Sequence, residues 1–373
     1  MQRDEIGIHK DRGFLPNPDP LRTLTIDDTL GVQQLANDVP RLFREGKVQS
    51  TLRDLPPADY SDVPVGPNLS LLLTDYSYLA SAYVYAGGDH EKPADHIPAG
   101  VAVPLVQLAQ MVERPPILSY VSYCLTNWQR VDPTGPIDLE NIRLRQHFLD
   151  VPDEDWFVLV HVAIEAKAGK VIGAIKQSFG AKSEETVWRA LDDINYGMKD
   201  VNLTLARMPE GCREEVYHRL VRPYIFSFNK VRYIGVGTDE GTVMSFRGET
   251  GAQSSIIPSV DAALGIHHEK GNQLMDHLAV MRGYMPREHA RFIATAEAEQ
   301  ETLRSAVVRM DNADMRRKYN DCVEEVAWFR KKHLQYAGDY IESRVADPLG
   351  TGGTPFMRWL GNLYEETKMH ILK

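Results

Sequence analysis

The sequence predicts a mainly α-helical protein, with a small, mixed but mostly helical N-terminal domain and a larger all-α domain. Apolar side chains recur at helical spacing in eight segments after residue 155, at 156–179, 184–207, 212–228, 253–266, 271–282, 286–308, 313–345 and 355–371. Strand-like alternation is limited to 231–236 and a few short N-terminal runs. Prolines cluster in the first seventy residues, which predicts short helices and loops there.

The N-terminal part nevertheless contains segments that read as regular helices. We expect helices at 69–85 and 104–112, and an aromatic-rich helix over 117–128. A polar, proline-containing link at 129–154 then leads into the helical region. We therefore divide the chain into domains at 1–148 and 149–373.

Composition restricts the classes of partner and compartment. The chain has 373 residues, of which 43% are apolar and 25% charged, and a net charge of -10 that argues against nucleic acid or an anionic membrane as partner. Three cysteines lie far apart, at Cys124, Cys212 and Cys322, as expected of packed, reduced thiols. The first residues lack the apolar region of a secretory signal, and no apolar run reaches membrane-spanning length. These features predict a cytoplasmic protein.

His333 lies on an apolar helical stripe, which is an unusual place for an imidazole. Residues at steps of three and four form this stripe, namely Cys322, Val326, Phe329, His333, Ala337 and Tyr340. A neutral imidazole there either completes a hydrogen bond inside the core or binds a ligand, and haem iron is one such ligand. The spacing alone leaves both interpretations open.

Two further polar residues fall on apolar helical faces. His161 shares a stripe with Phe157 and Ile164, so two histidines on separate helices either flank a planar cofactor or are unrelated core residues. Arg222 lies near Val216 in a third apolar segment. A guanidinium in such surroundings pairs with a carboxylate, supplied by an internal salt bridge or by a substrate.

Short motifs of other chemistries are absent from the sequence. There is no H-E-x-x-H, no P-loop, no G-x-G-x-x-G after a strand and no G-x-S-x-G. His267 and His268 have no third ligand at a usual spacing, which favours a solvated surface pair. The glycine-rich segment GTGGT at 350–354 is either a flexible loop or a loop whose amides and hydroxyls, on Thr351 and Thr354, close over a polar ligand.

Six blocks of sequence together resemble the indoleamine 2,3-dioxygenase family. In chain order these are DRGFLPNPDP, PPILSYVSYCLTNW, RGETGAQSSIIPSVDAALGI, MRGYMPREHARFI, FRKKHLQYAGDYI and GTGGTPFMRWL, and they extend from about residue 12 to residue 365. The resemblance implies that the helical domain binds haem b and that the last helix of the N-terminal domain lines the distal pocket. It also implies an enzyme of tryptophan catabolism by the kynurenine pathway, which inserts both atoms of O2 across the indole C2–C3 bond to give N-formylkynurenine.

The resemblance further implies roles for individual residues. His333 lies where the family has its proximal haem ligand, and Arg330 and Asp261 match an Arg/Asp pair near that side and a haem propionate. Arg222 matches the arginine that binds the carboxylate of the amino acid. Thr351 matches the loop threonine that helps to hold the amino group.

The implied distal pocket contains both conserved and divergent positions. Residues that line the indole pocket of the family fall at Tyr120, Tyr123, Cys124 and Phe157, and Ala252 belongs to a small-residue stretch beside the haem. Tyr217 stands where mammalian members have a phenylalanine, and His161 stands where they have a distal serine. A distal histidine is instead similar to tryptophan 2,3-dioxygenases, so we hypothesise that neutral His161 accepts the indole N–H bond. The segment before GTGGT is also shorter than in mammalian members.

These departures leave alternative functions open. Tyr217 and His161 favour a haem-dependent monooxygenase or rearrangement enzyme of the same superfamily, acting on a substituted tryptophan. A non-catalytic haem-binding protein is a further alternative. The implied partners are tryptophan or a related indoleamine, O2 and an electron donor that keeps the iron ferrous. We expect a monomer that binds neither nucleic acid nor membrane.

Overall fold

The structure is a computed structural model that describes residues 6–269, 273–344, 351 and 356–373. Helices dominate both halves of the chain and the strands are short. The prediction of a mainly α fold is therefore confirmed. The division into domains at residue 148 stays a prediction.

The N-terminal part contains short helices around one long buried helix. Its elements are α1 (Val32–Asn37), α2 (Val39–Glu45), α3 (Val48–Arg53), α4 (Pro67–Val84), β1 (His96–Ile97), α5 (Ala99–Met111), a π-helix (Val121–Leu125), β2 (Trp128–Arg130) and β3 (Ile142–Leu144). Helix α4 is buried over nearly its whole length, and its buried carboxylate, Asp75, is paired with Arg145. The helix predicted at 69–85 is thus confirmed.

The C-terminal part is built around three long helices. Its elements are α6 (Pro152–Ser178), α7 (Glu184–Ala206), α8 (Met208–Gly211), α9 (Glu214–Val216), a π-helix (Tyr217–Val221), a 3-10 helix (Arg222–Ile225), β4 (Phe228–Tyr233), β5 (Thr242–Phe246), a 3-10 helix (Gly251–Gln253), α10 (Ile256–Leu264), α11 (Gln273–Arg282), α12 (Arg287–Ala298), α13 (Leu303–Met310), α14 (Ala313–Tyr340), a 3-10 helix (Glu342–Arg344) and α15 (Phe356–Lys368). Helix α7 packs against both α6 and α14, and α15 packs against α14.

Two small sheets connect distant parts of the chain. In the first, β1 pairs in parallel with β4, and β4 pairs antiparallel with β5. In the second, β2 pairs antiparallel with β3. The strand predicted at 231–236 corresponds to β4, which begins and ends three residues earlier, whereas β5 was not predicted.

Three of the predicted helices are interrupted, and each interruption has a local cause. The segment 212–228 is wrong as one helix, because Pro223 lacks an N–H donor and the backbone changes to π and 3-10 turns before β4. The segment 286–308 is two helices, and the Thr302 side chain caps the second by accepting from the backbone N–H of Ser305. The segment 117–128 forms only a π-turn, since Trp128 pairs with Leu144 in the second sheet.

Two findings bear on the expectations from composition. All three cysteines are buried free thiols, which confirms the prediction of packed cysteines. Among the helices that the structure describes, none combines the length and the apolar character needed to cross a bilayer.

Helix α6 is held in place by a tight contact with an N-terminal turn. The turn passes Gly169 so closely that a Cβ atom there would lie 2.7 Å from the backbone nitrogen of Arg12. Gly13, in the left-handed region at φ 57°, makes the reciprocal approach to the backbone of Gly169. The contact lies two helical turns beyond His161 and thus supports the helix that carries that residue.

We predict that Gly169→Ala destabilises the protein by about 1–3 kcal/mol, because the backbone of the turn must move to admit a methyl group. Thermal unfolding of the two proteins measures the effect. Gly361→Ala in α15 is the matched control, since a Cβ there meets open space. That change should be neutral or stabilising by up to about 1 kcal/mol, through helix propensity alone. Equal melting temperatures for Gly169→Ala and the unmodified protein would contradict the tight contact.

Candidate active site

His333 of α14 lies on the predicted inward stripe, between the buried residues Val326 and Ala337. Its own surface is not covered by protein contacts. The surrounding protein nevertheless lowers the pKa of His333 to about 4, chiefly through burial within the fold and secondarily through the nearby His161. His333 is therefore an exposed but neutral imidazole at physiological pH.

His161 lies on α6 and is electrostatically coupled to His333. Its Nδ1 atom is 2.7 Å from the carbonyl oxygen of Phe157, one turn earlier. Burial lowers the pKa of His161, so the ring is neutral at pH 7. Because only a protonated Nδ1 can donate to that carbonyl, Nε2 carries the free lone pair. His161 is thus equipped to accept one hydrogen bond.

Aromatic rings surround His161 on several sides. The ring centroid of Phe157 is 4.7 Å from that of His161 and 4.7 Å from that of Tyr217. Tyr123 lies 6.3 Å from Phe157, and Tyr120 meets His161 edge to face at 6.1 Å. The structure therefore brings together residues that are separated by about a hundred positions in the sequence. We call these five side chains the aromatic wall.

Two π-turns carry part of the aromatic wall. The turn Val121–Leu125 contains Tyr123 and the buried thiol of Cys124, and the turn Tyr217–Val221 begins with Tyr217. A π-turn holds more residues than an α-turn and is common at functional sites. Both irregularities in the predicted helices thus occur where the chain supplies side chains to this site.

Arg222 follows the second π-turn and is only 2% exposed. Its guanidinium carbon lies 4.5 Å from the ring centroid of Phe226. Phe226 is also restrained by His90, whose ring stacks on it with the two centroids 3.8 Å apart. Burial lowers the pKa of Arg222, but an arginine keeps its charge in proteins. The site therefore contains a buried cation close to Tyr217.

Thr351 is hydrogen-bonded to two segments that flank the β4–β5 part of the first small sheet, at Ser227 before β4 and at Glu249 after β5. Its hydroxyl donates to the carbonyl oxygen of Glu249. Its own carbonyl accepts from the backbone N–H of Ser227 at 3.0 Å and from the Ser227 hydroxyl at 2.7 Å. The remainder of the GTGGT segment, including Thr354, lies outside the described residues.

Ala252 is half-buried in the turn Gly251–Gln253 and packs against the core. The neighbouring side chain of Gln253 accepts the backbone N–H of Tyr120 at 2.8 Å. The predicted small-residue stretch is thus tied directly to the aromatic wall.

Arg330 and Asp261 form an ion pair at 2.5 Å, as their predicted pairing requires. Arg330 also donates to the hydroxyl of Thr367 in α15. The interpretation of His268 as a solvated residue is wrong, because its side chain is 8% exposed and lies 2.7 Å from Glu366 and 3.3 Å from Asp261. Helix α15 folds back over the loop and supplies this carboxylate, which the sequence spacing does not indicate. His267 is exposed, as expected.

Two buried carboxyl groups of the site were not predicted. Glu165 accepts the Tyr120 hydroxyl at 3.0 Å and the Ser254 hydroxyl at 2.9 Å, and burial raises its pKa to about 7. Burial likewise raises the pKa of Glu249 to about 8. Glu165 follows His161 by four positions, so helical spacing places both side chains on one face of α6 and could have indicated its burial. Glu249 lies between a strand and a turn, where no periodicity marks a buried side chain.

The fold and this geometry define a helical protein in which two neutral histidines, a group of aromatic rings and a buried arginine occur in one region. A model of the indoleamine 2,3-dioxygenase family matches residues 2–347, and the chain therefore belongs to that family. The expected resemblance is confirmed, and so is the expectation of an oxidoreductase, since the family implies a haem dioxygenase that uses O2.

Individual relatives support the same assignment over most of their length. The chain is 28% identical to an indoleamine 2,3-dioxygenase of Saccharomyces cerevisiae, with 90% of this chain and 79% of the relative covered. It is 28% identical to indoleamine 2,3-dioxygenase 1 of Rattus norvegicus, with coverage of 99% and 95%. It is 26% identical to indoleamine 2,3-dioxygenase 2 of Homo sapiens, with coverage of 98% and 94%.

Proposed function

We propose that this protein cleaves the indole C2–C3 bond of L-tryptophan, or of a related indoleamine, with O2 to give N-formylkynurenine. The observation that carries the proposal is the aromatic wall, which includes a hydrogen-bond acceptor, His161, and has a buried cation, Arg222, near Tyr217. Phe157 contacts both His161 and Tyr217, and Arg222 follows Tyr217 by five residues. An indole with an amino acid side chain presents the matching groups, namely an apolar ring, an N–H donor and a carboxylate.

The residues on α14 fit the haem group that the family implies. Iron ligation needs an imidazole with a free lone pair, and the lowered pKa of His333 keeps its ring neutral. We propose that His333 is the single axial ligand of haem b, and that Arg330 and Asp261 support the same face near a propionate. When bound, the haem supplies the iron that binds and activates O2.

The remaining residues orient the substrate. Arg222 binds the carboxylate through charge-assisted hydrogen bonds, and Thr351 helps to fix the amino group. Phe157 and Tyr217 pack on the indole and exclude water. Such positioning lowers the barrier because it removes the entropy of bringing the reactants together. No protein base is needed to remove the indole proton before the oxygen attack.

We predict that His161→Phe lowers kcat/KM for L-tryptophan by about tenfold, because one hydrogen bond to the indole N–H is lost. The same variant should discriminate less against 1-methyl-L-tryptophan, which has no indole N–H to donate. Because burial lowers the pKa of His161 from its usual value near 6.5, the wild-type discrimination should persist to a lower pH than an exposed imidazole would allow. An unchanged ratio between the two substrates in the variant would contradict the role of His161.

The reaction is tested by aerobic incubation of the ferrous holoprotein with L-tryptophan and labelled O2. We expect N-formylkynurenine with both oxygen atoms labelled. A product that keeps the indole ring and contains one labelled atom would instead favour a monooxygenase, or a rearrangement enzyme acting on a substituted tryptophan. The Tyr217 hydroxyl within the aromatic wall is the observation that favours this second function. Haem binding without any product would indicate a non-catalytic haem protein.

We further propose that the protein acts as a cytoplasmic monomer and receives electrons from a cellular donor that keeps the iron ferrous. The negative net charge of -10 supports a protein that avoids nucleic acid and anionic membranes. Sedimentation of the holoprotein tests the oligomeric state, with a single species of about 42.1 kDa as the expected result.

A further inference from the structure

Glu249 is a buried acid for which the proposed reaction has so far no use. The residue is only 4% exposed. Within the part of the chain that the structure describes, no lysine, arginine or histidine forms an ion pair with its carboxyl group. A buried carboxylate without a cation is costly, and a protein avoids that cost by keeping the group protonated. Consistently, burial alone raises the pKa of Glu249 to about 8.

The backbone of Glu249 is fixed between two elements assigned to the substrate. Its N–H donates to the carbonyl of Ile225, three residues after Arg222, at 3.0 Å. Its carbonyl accepts the hydroxyl of Thr351. The preceding Gly248 lies so close to the backbone of Ile225 that no Cβ atom fits there. The backbone of Glu249 is therefore fixed between Thr351 and the end of the 3-10 helix that begins at Arg222.

The carboxyl group of Glu249 also acts electrostatically on the aromatic wall. Burial is the main cause of the raised pKa values of Tyr217, Tyr120, Tyr123 and the Cys124 thiol, and the Glu249 carboxyl group adds to them in its ionised form. These residues come from two separate segments of the chain, and all four are proposed to line the indole pocket. The Glu249 carboxyl group therefore lies within electrostatic range of the residues assigned to the substrate.

The hydrogen-bonding pattern of Thr351 identifies the missing partner. The hydroxyl hydrogen of Thr351 is donated to the backbone carbonyl of Glu249. The hydroxyl oxygen therefore offers only lone pairs to a ligand. A carboxylate likewise offers only lone pairs. An ammonium group has three N–H donors and no acceptor, so it complements both. A second carboxylate has no donor and a neutral hydroxyl has only one, so neither group complements both acceptors.

We propose that Glu249 binds the α-ammonium group of the amino acid substrate and makes the pocket selective for ligands that carry it. This inference rests on the proposed function and deepens it, with Arg222 and Glu249 receiving the two charges of one zwitterion. Glu249 gives up its proton to solvent as the ammonium arrives, so the charges inside the pocket balance. Below pH 8, binding therefore releases a proton, and the affinity for tryptophan rises as the pH rises from 6 to 8.

The test is calorimetric titration of the ferric holoprotein, in which no turnover occurs, with L-tryptophan, tryptamine and indole-3-propionate. Titration in buffers of different ionisation enthalpy gives the number of protons released. We expect close to one proton released at pH 7 with L-tryptophan and none with indole-3-propionate, which lacks the amine.

The variant for this test is Glu249→Gln, which preserves size and hydrogen bonding but cannot carry a charge. It should bind L-tryptophan about 10- to 100-fold more weakly, through loss of a hydrogen-bonded charge pair. Its affinity for indole-3-propionate should be unchanged, and its tryptophan affinity should no longer depend on pH between 6 and 8. Equal weakening of both ligands would indicate a structural role and overturn the proposal, as would unchanged binding of L-tryptophan.

Glu154→Gln is the matched control, because Glu154 is also a buried acid with a raised pKa, of about 7. Its carboxylate accepts the backbone N–H groups of Phe148 and Leu149 and so has protein partners. This control should lower the melting temperature but leave the ratio of tryptophan to indole-3-propionate affinities unchanged. A shift of that ratio equal to the shift in Glu249→Gln would overturn the proposal.

The same experiments separate this proposal from the reaction itself. If wild type shows the expected binding pattern but yields no N-formylkynurenine, the reaction is wrong and the ammonium site stands. If Glu249→Gln fails to show selective loss while wild type cleaves tryptophan, the ammonium site is wrong and the reaction stands. If wild type binds none of the three ligands, both are overturned.

Discussion

Replacing His333 by alanine should abolish stable haem binding. If its neutral imidazole is the iron ligand, as we propose, alanine provides no group that could replace the iron–nitrogen bond. We expect purified His333→Ala to contain less than about a tenth of the haem of wild type, since loss of one ligand bond exceeds the 1.4 kcal/mol that corresponds to tenfold in affinity. The ratio of Soret to protein absorbance measures this directly.

Added imidazole should partly restore the spectrum of the His333→Ala protein, because it can enter the space left by the side chain. His267→Ala is a suitable control, since this exposed histidine lies in a loop outside the aromatic wall. Its haem content should equal that of wild type. Unchanged haem content and an unchanged axial-ligand spectrum in His333→Ala would refute the proximal assignment.

Arg222→Lys should selectively impair substrates that carry a carboxylate. Lysine keeps the charge but cannot form two parallel hydrogen bonds, and its ammonium group would not reach the same position beside Phe226. Loss of one partner of a buried charged pair costs about 2–5 kcal/mol, or roughly 30- to 5,000-fold. We expect kcat/KM for L-tryptophan to fall within this range.

Tryptamine, which lacks the carboxylate, provides the internal control for this variant. Its turnover by Arg222→Lys should stay within a few-fold of the wild-type value, and haem content should be preserved. A parallel loss for tryptamine and tryptophan would indicate that Arg222 supports the pocket structurally. Arg219→Lys, at an exposed position one turn earlier, should affect neither substrate.

The long helices could be predicted because burial on one face leaves a periodic signal. The stripes that include His161 and His333 correspond to α6 and α14, and Arg222 is buried as its apolar neighbours suggested. Elements whose backbone departs from the helical period could not be predicted from the spacing of apolar residues. Pro223 disrupts one predicted helix, and Trp128 is recruited into a strand by a partner sixteen residues away.

Contacts across the fold explain the other failures. His268 was misread because Glu366, its buried partner, is about a hundred residues distant in the sequence. Glu249 was missed because its burial results from the meeting of a strand end, Ile225 and Thr351. Neither arrangement produces a repeating pattern in the sequence. The burial of His268 and Glu249 can therefore be recognised only in the folded structure.

The two π-turns make the active site sensitive to chain length rather than only to residue type. Each π-turn accommodates an extra residue relative to an α-helix, in which successive residues are about 100° apart around the axis. Deleting one residue from Tyr217–Val221 would restore the ordinary pitch and rotate Tyr217 relative to Arg222 by about that angle. Insertions and deletions here would therefore redirect whole sets of side chains at once, which gives related proteins a route to new substrates that point mutations do not offer.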